Sequence, residues 1–86
     1  MKLKLVLVEW LDSHSGQGWQ RLHEIAENGA PVLCQSVGWL VSDQKDHKVL
    51  VPHISGMGNE GVVPYGRGEI SIPAKAIRKL RVLQKG

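Results

Sequence analysis

The sequence predicts a mainly β fold: a small five-stranded barrel with one short α-helix between its first two strands and a single 3₁₀ turn before its last. Three observations lead there. Short runs rich in Val, Leu and Ile recur along the chain, each closed by Gly, Pro, Asn or Asp. Only one stretch, between Gly18 and Asn28, has apolar residues at helical spacing. The third is Cys34-Gln35-Ser36-Val37-Gly38-Trp39-Leu40-Val41-Ser42-Asp43, read as the central strand, with small residues on one face and large ones on the other. A glycine beside a tryptophan within a strand marks a bend or a close backbone approach, which a tightly curled sheet requires. At 86 residues the chain has room for one domain, residues 1–86. A chain of this size buries roughly 60% of the surface its unfolded form exposes, which disfavours a deep cleft and favours binding by a surface or shallow groove.

Taken in order, Lys2 to Trp10 alternates and forms the first strand, with Leu3, Leu5 and Leu7 on one face and Lys4, Val6, Val8 and Trp10 on the other. Residues 12–18 (Asp-Ser-His-Ser-Gly-Gln-Gly) are turn chemistry. The helix follows, about Gly18 to Asn28, with Trp19, Leu22, Ile25 and Ala26 as its apolar stripe; Asn28-Gly29 and then Pro31 stop it. On this reading Trp19 is a core residue covering one end of the barrel. Pro31 to Ser42 is the central strand, Asp43 to His47 a polar turn, and Lys48 to Ile54 the return strand. Pro52 removes a ladder donor from that strand, so it lies at an edge there or the sheet bends. Gly56 to Gly68 is a long glycine-rich loop, of a length that tends to be functional or mobile. Glu69 to Ile72 is the fourth strand, Pro73 to Ile77 a single helical turn, and Arg78 to Leu83 the last strand, with Leu80 and Val82 inward.

The net charge of +3 is mildly basic, with Lys2 and Lys4 near one end and Lys75, Arg78, Lys79, Arg81 and Lys85 near the other. If the terminal strands are neighbours, these residues share one surface. A strand edge guarded by lysines produces the same pattern. A single cysteine, Cys34, rules out an internal disulfide and fits a reducing cytoplasm. Glu9, Trp10 and Asp12 cut the N-terminal apolar run short of a signal peptide's, and no stretch approaches the roughly 20 apolar residues of a membrane span. The expectation is a soluble, cytoplasmic protein without a membrane partner.

Two resemblances bear on identity. Glu69 to Leu83, where a strand runs through a proline and a tight turn into a closing strand, resembles the end of an SH3-like or Sm-like barrel. Val8-Glu9-Trp10-Leu11-Asp12-Ser13, Gly18-Trp19, the Ser36-Val37-Gly38-Trp39 segment, Ile72-Pro73, Ile77 and Leu80 resemble, in order and spacing, a family of small uncharacterised proteins encoded by tailed phages and prophages. That resemblance implies a phage accessory protein acting in the bacterial cytoplasm and carries over no site residue.

Each candidate chemistry meets a plainer explanation. Gly56-x-Gly58-x-x-Gly61 matches the dinucleotide fingerprint in letters, but Val62, Val63 and Pro64 cannot start the helix on which a pyrophosphate sits. His14, His23, His47, His53 and Cys34 lack the paired short spacing of zinc ligands. Cys34 reads as a small buried hydrophobe rather than a nucleophile. Asp12, Ser13, His14 and Ser15 are adjacent and cannot form a triad among themselves. No catalytic residue, cofactor or metal is therefore expected, and the chain reads as non-enzymatic.

Two functional readings remain. The first is a protein-interaction module using Trp10, Trp39, Met57 and Tyr65, whose partner is another protein or a second copy paired through edge strands. Alternation alone leaves open whether Trp10 and Trp39 face the core or a partner. The second is a nucleic-acid-binding module in which Lys2, Lys4, Lys75, Lys79 and Arg81 contact phosphates and an aromatic stacks on a base. Eight acidic residues dilute the charge such binding needs, which favours the first reading.

Overall fold

In the computed structural model, which describes residues 2–13 and 15–86, the alternating N-terminal run pairs on both of its edges. The elements are β1 (Leu5–Asp12), α1 (Leu22–Glu27), β2 (Val32–Asp43), β3 (His47–Val51), β4 (His53–Ser55), β5 (Tyr65–Arg67), β6 (Ile70–Pro73), a 3₁₀ turn (Ala74–Ala76) and β7 (Ile77–Gln84). Five strands make one antiparallel sheet in the order β6-β3-β2-β1-β7, and β4 pairs with β5 as a separate ribbon. The fold is thus mainly β with β2 the middle strand, as the sequence predicts, and the terminal strands β1 and β7 are adjacent, which the sequence left as a condition.

The sheet does not close into the expected barrel. Among the described residues no ladder joins β6 to β7, which stand at opposite edges and are linked through the 3₁₀ turn. The physical reason is local. β6 has only four residues and ends in Pro73, which has no N–H to donate, and the turn carries the chain across the gap.

Strand pairing sets the core. Val6 lies opposite Gly38 and Val82, Val8 opposite Ser36 and Leu80, and Leu50 opposite Leu40 and Ile70. Val6, Val8, Leu50 and Ile72 are buried together, with Trp10, Leu40, Ile70, Ala76, Ile77 and Leu80 packed around them. The small face of β2 is what lets β1 and β3 lean together over it. A Cβ added to Gly38 would lie 2.9 Å from the Val51 carbonyl oxygen and 3.1 Å from Leu50 Cβ, so only glycine fits. Register shifts in the β2–β3 pair and twice in β1–β7 add local twist to the same curl.

Pro52 ends β3, and the chain leaves the main sheet as β4. The single return strand expected from Lys48 to Ile54 is therefore split in two. The glycine-rich stretch expected to be loop throughout contains β5, whose Tyr65, Gly66 and Arg67 pair with Ser55, Ile54 and His53. Gly56, Gly58 and Gly61 all have positive φ, which turns the chain tightly enough for that return.

The largest departure from expectation lies between β1 and β2. These strands stay paired out to Asp12 and Val32, beyond the last β1–β7 pair at Trp10 and Ile77. The ribbon thus projects past the sheet and carries the intervening segment with it as an arm. Every described residue from 15 to 31 is exposed. The helix is shorter than the expected 18–28: it begins at Leu22, with Arg21 at its N-cap making no side-chain capping bond, and ends where Asn28 bonds the Glu24 carbonyl through both its backbone N–H and its Nδ2. Trp19 precedes it and is 105% exposed, not a core residue. The arm shows in the overall shape: the radius of gyration is 17.0 Å and the extents are 59 × 24 × 20 Å. A compact domain of this length has a radius of about 12 Å.

Gly38→Ala is expected to destabilise the protein by about 1–3 kcal/mol, because the methyl must displace the β3 backbone rather than a flexible side chain. Urea unfolding followed by circular dichroism checks this; a change within 0.5 kcal/mol, the scatter of neutral substitutions, would mean that β3 does not press on β2 as described.

Candidate functional site

Alternation along paired strands puts Trp10 and Trp39 on opposite faces of the sheet. Trp10 lies over the small face of β2, opposite Cys34, and its Nε1–H donates to Ser36 Oγ at 3.0 Å. It is half-buried against the core, so its ring belongs chiefly to packing. Trp39 lies on the outer face between Leu5 and Val51, its cross-strand partners, and is also half-buried. Val51 is buried there and lines a shallow cavity of about 100 Å³ between the sheet and the β4–β5 ribbon. Met57 and Tyr65 line the same cavity with Leu3, Val41 and Ile54. The structure therefore brings Met57 and Tyr65 together, sets Trp39 beside them through Val51, and separates Trp10 from all three.

The basic residues line one edge rather than form a cluster. Lys79 and Arg81 are exposed on β7, opposite Glu9 and Leu7 of β1. Lys75 sits in the 3₁₀ turn at the start of β7, where its carbonyl accepts from Arg78 Nη1 at 3.3 Å. Lys2 and Lys4 flank the far end of that strand, since Leu5 pairs with Gln84. An eight-residue strand puts roughly 25 Å between the two ends.

The arm carries the apolar surface that sequence reasoning missed as a site. Trp19 and Leu22 are almost wholly exposed, and Ile25, Val32 and Leu33 about half exposed. The helical stripe itself was legible in the sequence; that it has no partner among the described residues was not. A six-residue helix is too short to persist in water on propensity alone, since isolated helices below about 12 residues are marginal. The arm also differs in charge from the rest. Residues 11–33, beyond the last β1–β7 pair, contain Asp12, Glu24 and Glu27 against Arg21 alone, a net −2, so with +3 overall the remainder carries +5.

Reactive groups are dispersed. Cys34 is half-buried rather than buried, with Sγ 3.7 Å from the Val32 carbonyl oxygen; it lies opposite Trp10, at the last position where β1 is also paired with β7 and the sheet narrows to the β1–β2 ribbon. His14 lies outside the described residues, and with it part of the Asp12–Ser15 stretch; among the described residues no three His, Cys, Asp or Glu side chains converge on a point. Gly56, Gly58 and Gly61 lead into Val62, Val63, Pro64 and β5, not into a helix. At the β2–β3 turn, His47 Nδ1 lies 2.6 Å from Asp46 Oδ1. That hydrogen bond, reinforced by Asp46's own backbone N–H and by the charge of protonated His47, holds the Asp46 carboxyl below its usual range. Its role is structural, because the Asp46 carbonyl accepts the Ala74 N–H at 2.8 Å and ties the turn to the 3₁₀ turn. Among the described residues no helix is long and apolar enough to cross a membrane.

No family model, curated protein or solved structure matches this chain.

A double-mutant cycle of Trp10→Phe and Ser36→Ala is expected to give a coupling of about 0.5–1.5 kcal/mol, the net worth of one partly buried hydrogen bond; a coupling of zero would mean that the indole N–H is satisfied by water instead. An NMR titration is expected to place the Asp46 midpoint below the ordinary value of about 3.9, and His47→Gln to move it back up. With its folded pKa depressed, Asp46 contributes stability above that ordinary value and loses it as pH falls through the folded one. The contribution is small because the carboxylate is exposed.

Proposed function

We propose that this chain is a non-enzymatic protein-interaction module, with an SH3-like arrangement of five strands serving as the scaffold and the arm as the contacting element. One observation carries the reading: large apolar side chains on the arm, Leu22 on the short helix and Trp19 just before it foremost, are held out in solvent, covered by none of the described residues. Exposed apolar side chains gathered on one projection mark an interaction surface, whereas scattered ones would not. An unpaired tryptophan with aliphatic neighbours is the usual composition of an interface anchor. Met57, Tyr65 and Trp39, around the shallow cavity, supply a second contact region on the body. The resemblance of the Trp10, Trp19 and Ser36–Trp39 segments to phage and prophage proteins supports an accessory role in a bacterial host. The lone free thiol of Cys34 suits that cytoplasm.

The adjacency of β1 and β7 supports a second reading, because it sets Lys2, Lys4, Lys79 and Arg81 along one edge that phosphates can follow. Their spread over the length of a strand, and the acidity of the arm, favour protein over nucleic acid as the partner.

Full-length protein immobilised through its C-terminus is expected to capture a defined protein, itself included, and Leu22→Ser is expected to abolish capture while leaving the sheet's circular dichroism unchanged. Titration with single-stranded and duplex oligonucleotides at low salt is expected to show no binding. Salt-sensitive binding that is lost in Lys79→Ala/Arg81→Ala would overturn the proposal in favour of the second reading.

A further inference from the structure

We propose that the partner of the arm is a second copy of this chain: the arm of one copy docks on the outer face of the other's sheet, over Leu5, Leu7 and Val37 and beside Lys79 and Arg81. This deepens the interaction-module reading and rests on it.

The receiving surface follows from register. Leu7 pairs with Val37 on one side and Arg81 on the other, Leu5 pairs with Trp39, and Glu9 with Lys79, so these side chains share the outer face. Val37 is 51% exposed there, and Leu5 and Leu7 are only half covered. The result is an apolar strip with a basic border on β7, interrupted by Glu9, whose Oε1 is taken up by Gln35 Nε2 at 3.1 Å.

Charge selects the occupant. With −2 on residues 11–33 and +5 on the remainder, Glu9 of the receiving face included, arm meets body with opposite sign. Arm against arm, or body against body, brings like charges together, which costs affinity and slows encounter. Edge pairing of two β7 strands suffers most, because it stacks Arg78, Lys79 and Arg81 of one copy against the same residues of the other. The other free edge, β6, is four residues long and ends in proline, a poor template for strand addition.

Helix α1 can meet the strip through Leu22, Ile25 and Ala26, which fall on one side of the helix. Glu24 and Glu27 fall on the opposite side, remain solvated, and act through the field rather than as buried pairs. Area is sufficient if the exchange is reciprocal. Trp19, Leu22, Ile25, Val32 and Leu33 together expose on the order of 600 Å², short of the roughly 800 Å² each partner buries in a stable complex. A two-fold dimer in which each chain gives its arm and receives the other's exceeds that figure, and closes without leaving an unsatisfied arm.

Sedimentation equilibrium of the full chain over a range of concentrations, at low and at high salt, tests this. A dimer is expected at low salt that weakens as salt rises. Leu22→Ser is expected to leave a monomer, and Glu24→Lys/Glu27→Lys to raise the dimer Kd on the order of tenfold. Isotope-filtered NOEs on a mixed-label sample are expected between Leu22 or Ile25 methyls of one copy and Leu7 or Val37 methyls of the other. Arm-to-arm NOEs, or a dimer that is unchanged or tighter in Glu24→Lys/Glu27→Lys, would overturn the proposal. So would a monomer at all concentrations. If that monomer still captures a different protein through Leu22, only self-docking fails; if it captures nothing, the interaction-module reading fails with it.

Discussion

Everything in this fold depends on the close approach of β1 and β3 across the small face of β2. Val6 and Val8 reach Leu50 and Ile72 only because Gly38 and Ser36 occupy the positions between them. Gly38 has no Cβ to hold the Val51 backbone away, and Ser36 is small enough to fit beside Trp10 and accept the hydrogen bond of its indole N–H. Larger residues at either position would flatten the sheet, and a flat five-stranded sheet of this size leaves its apolar face in water. The curl is therefore the source of the core, and the composition of one strand face is the source of the curl.

That core is small. Four fully buried side chains and a ring of half-buried ones hold the sheet, while a substantial part of the chain contributes no buried surface. Stability is consequently uneven. Strands β1 and β2 are held on both edges, whereas the described residues from 15 to 31 are attached through the ends of the β1–β2 ribbon. Segments with few buried contacts open most readily, and these are the segments that binding tends to recruit. Docking the arm would supply to α1 the packing that a six-residue helix cannot obtain from propensity.

Electrostatics follows the same division. The mild overall charge conceals an acidic arm and a basic body, and no single number for the chain reveals it. The separation arises from where the strands lie: β7, with Arg78, Lys79 and Arg81, pairs along the base of β1, while Glu24 and Glu27 are carried beyond the sheet.

Much of the fold was legible in the sequence, because strand alternation, glycine and proline punctuation and helical spacing are local properties. They sufficed for β1, β2, β6, the 3₁₀ turn and β7, for the break at Pro52, and for the need for glycine at position 38. The candidate site was legible only in part. Met57 and Tyr65 meet in one cavity beside Trp39, but Trp10 faces the other way, which depends on pairing register and not on residue type. The apolar stripe of Trp19, Leu22 and Ile25 could be read, yet an amphipathic stripe says only that it seeks a partner. Whether the partner lies within the chain depends on how far β1 and β2 stay paired, and they run on to Asp12 and Val32, past the end of the core. Local chemistry determined the elements; only the tertiary arrangement decided that the sheet stays open at β6 and β7 and that the helix stands outside it, because both outcomes turn on distances between residues far apart in the chain.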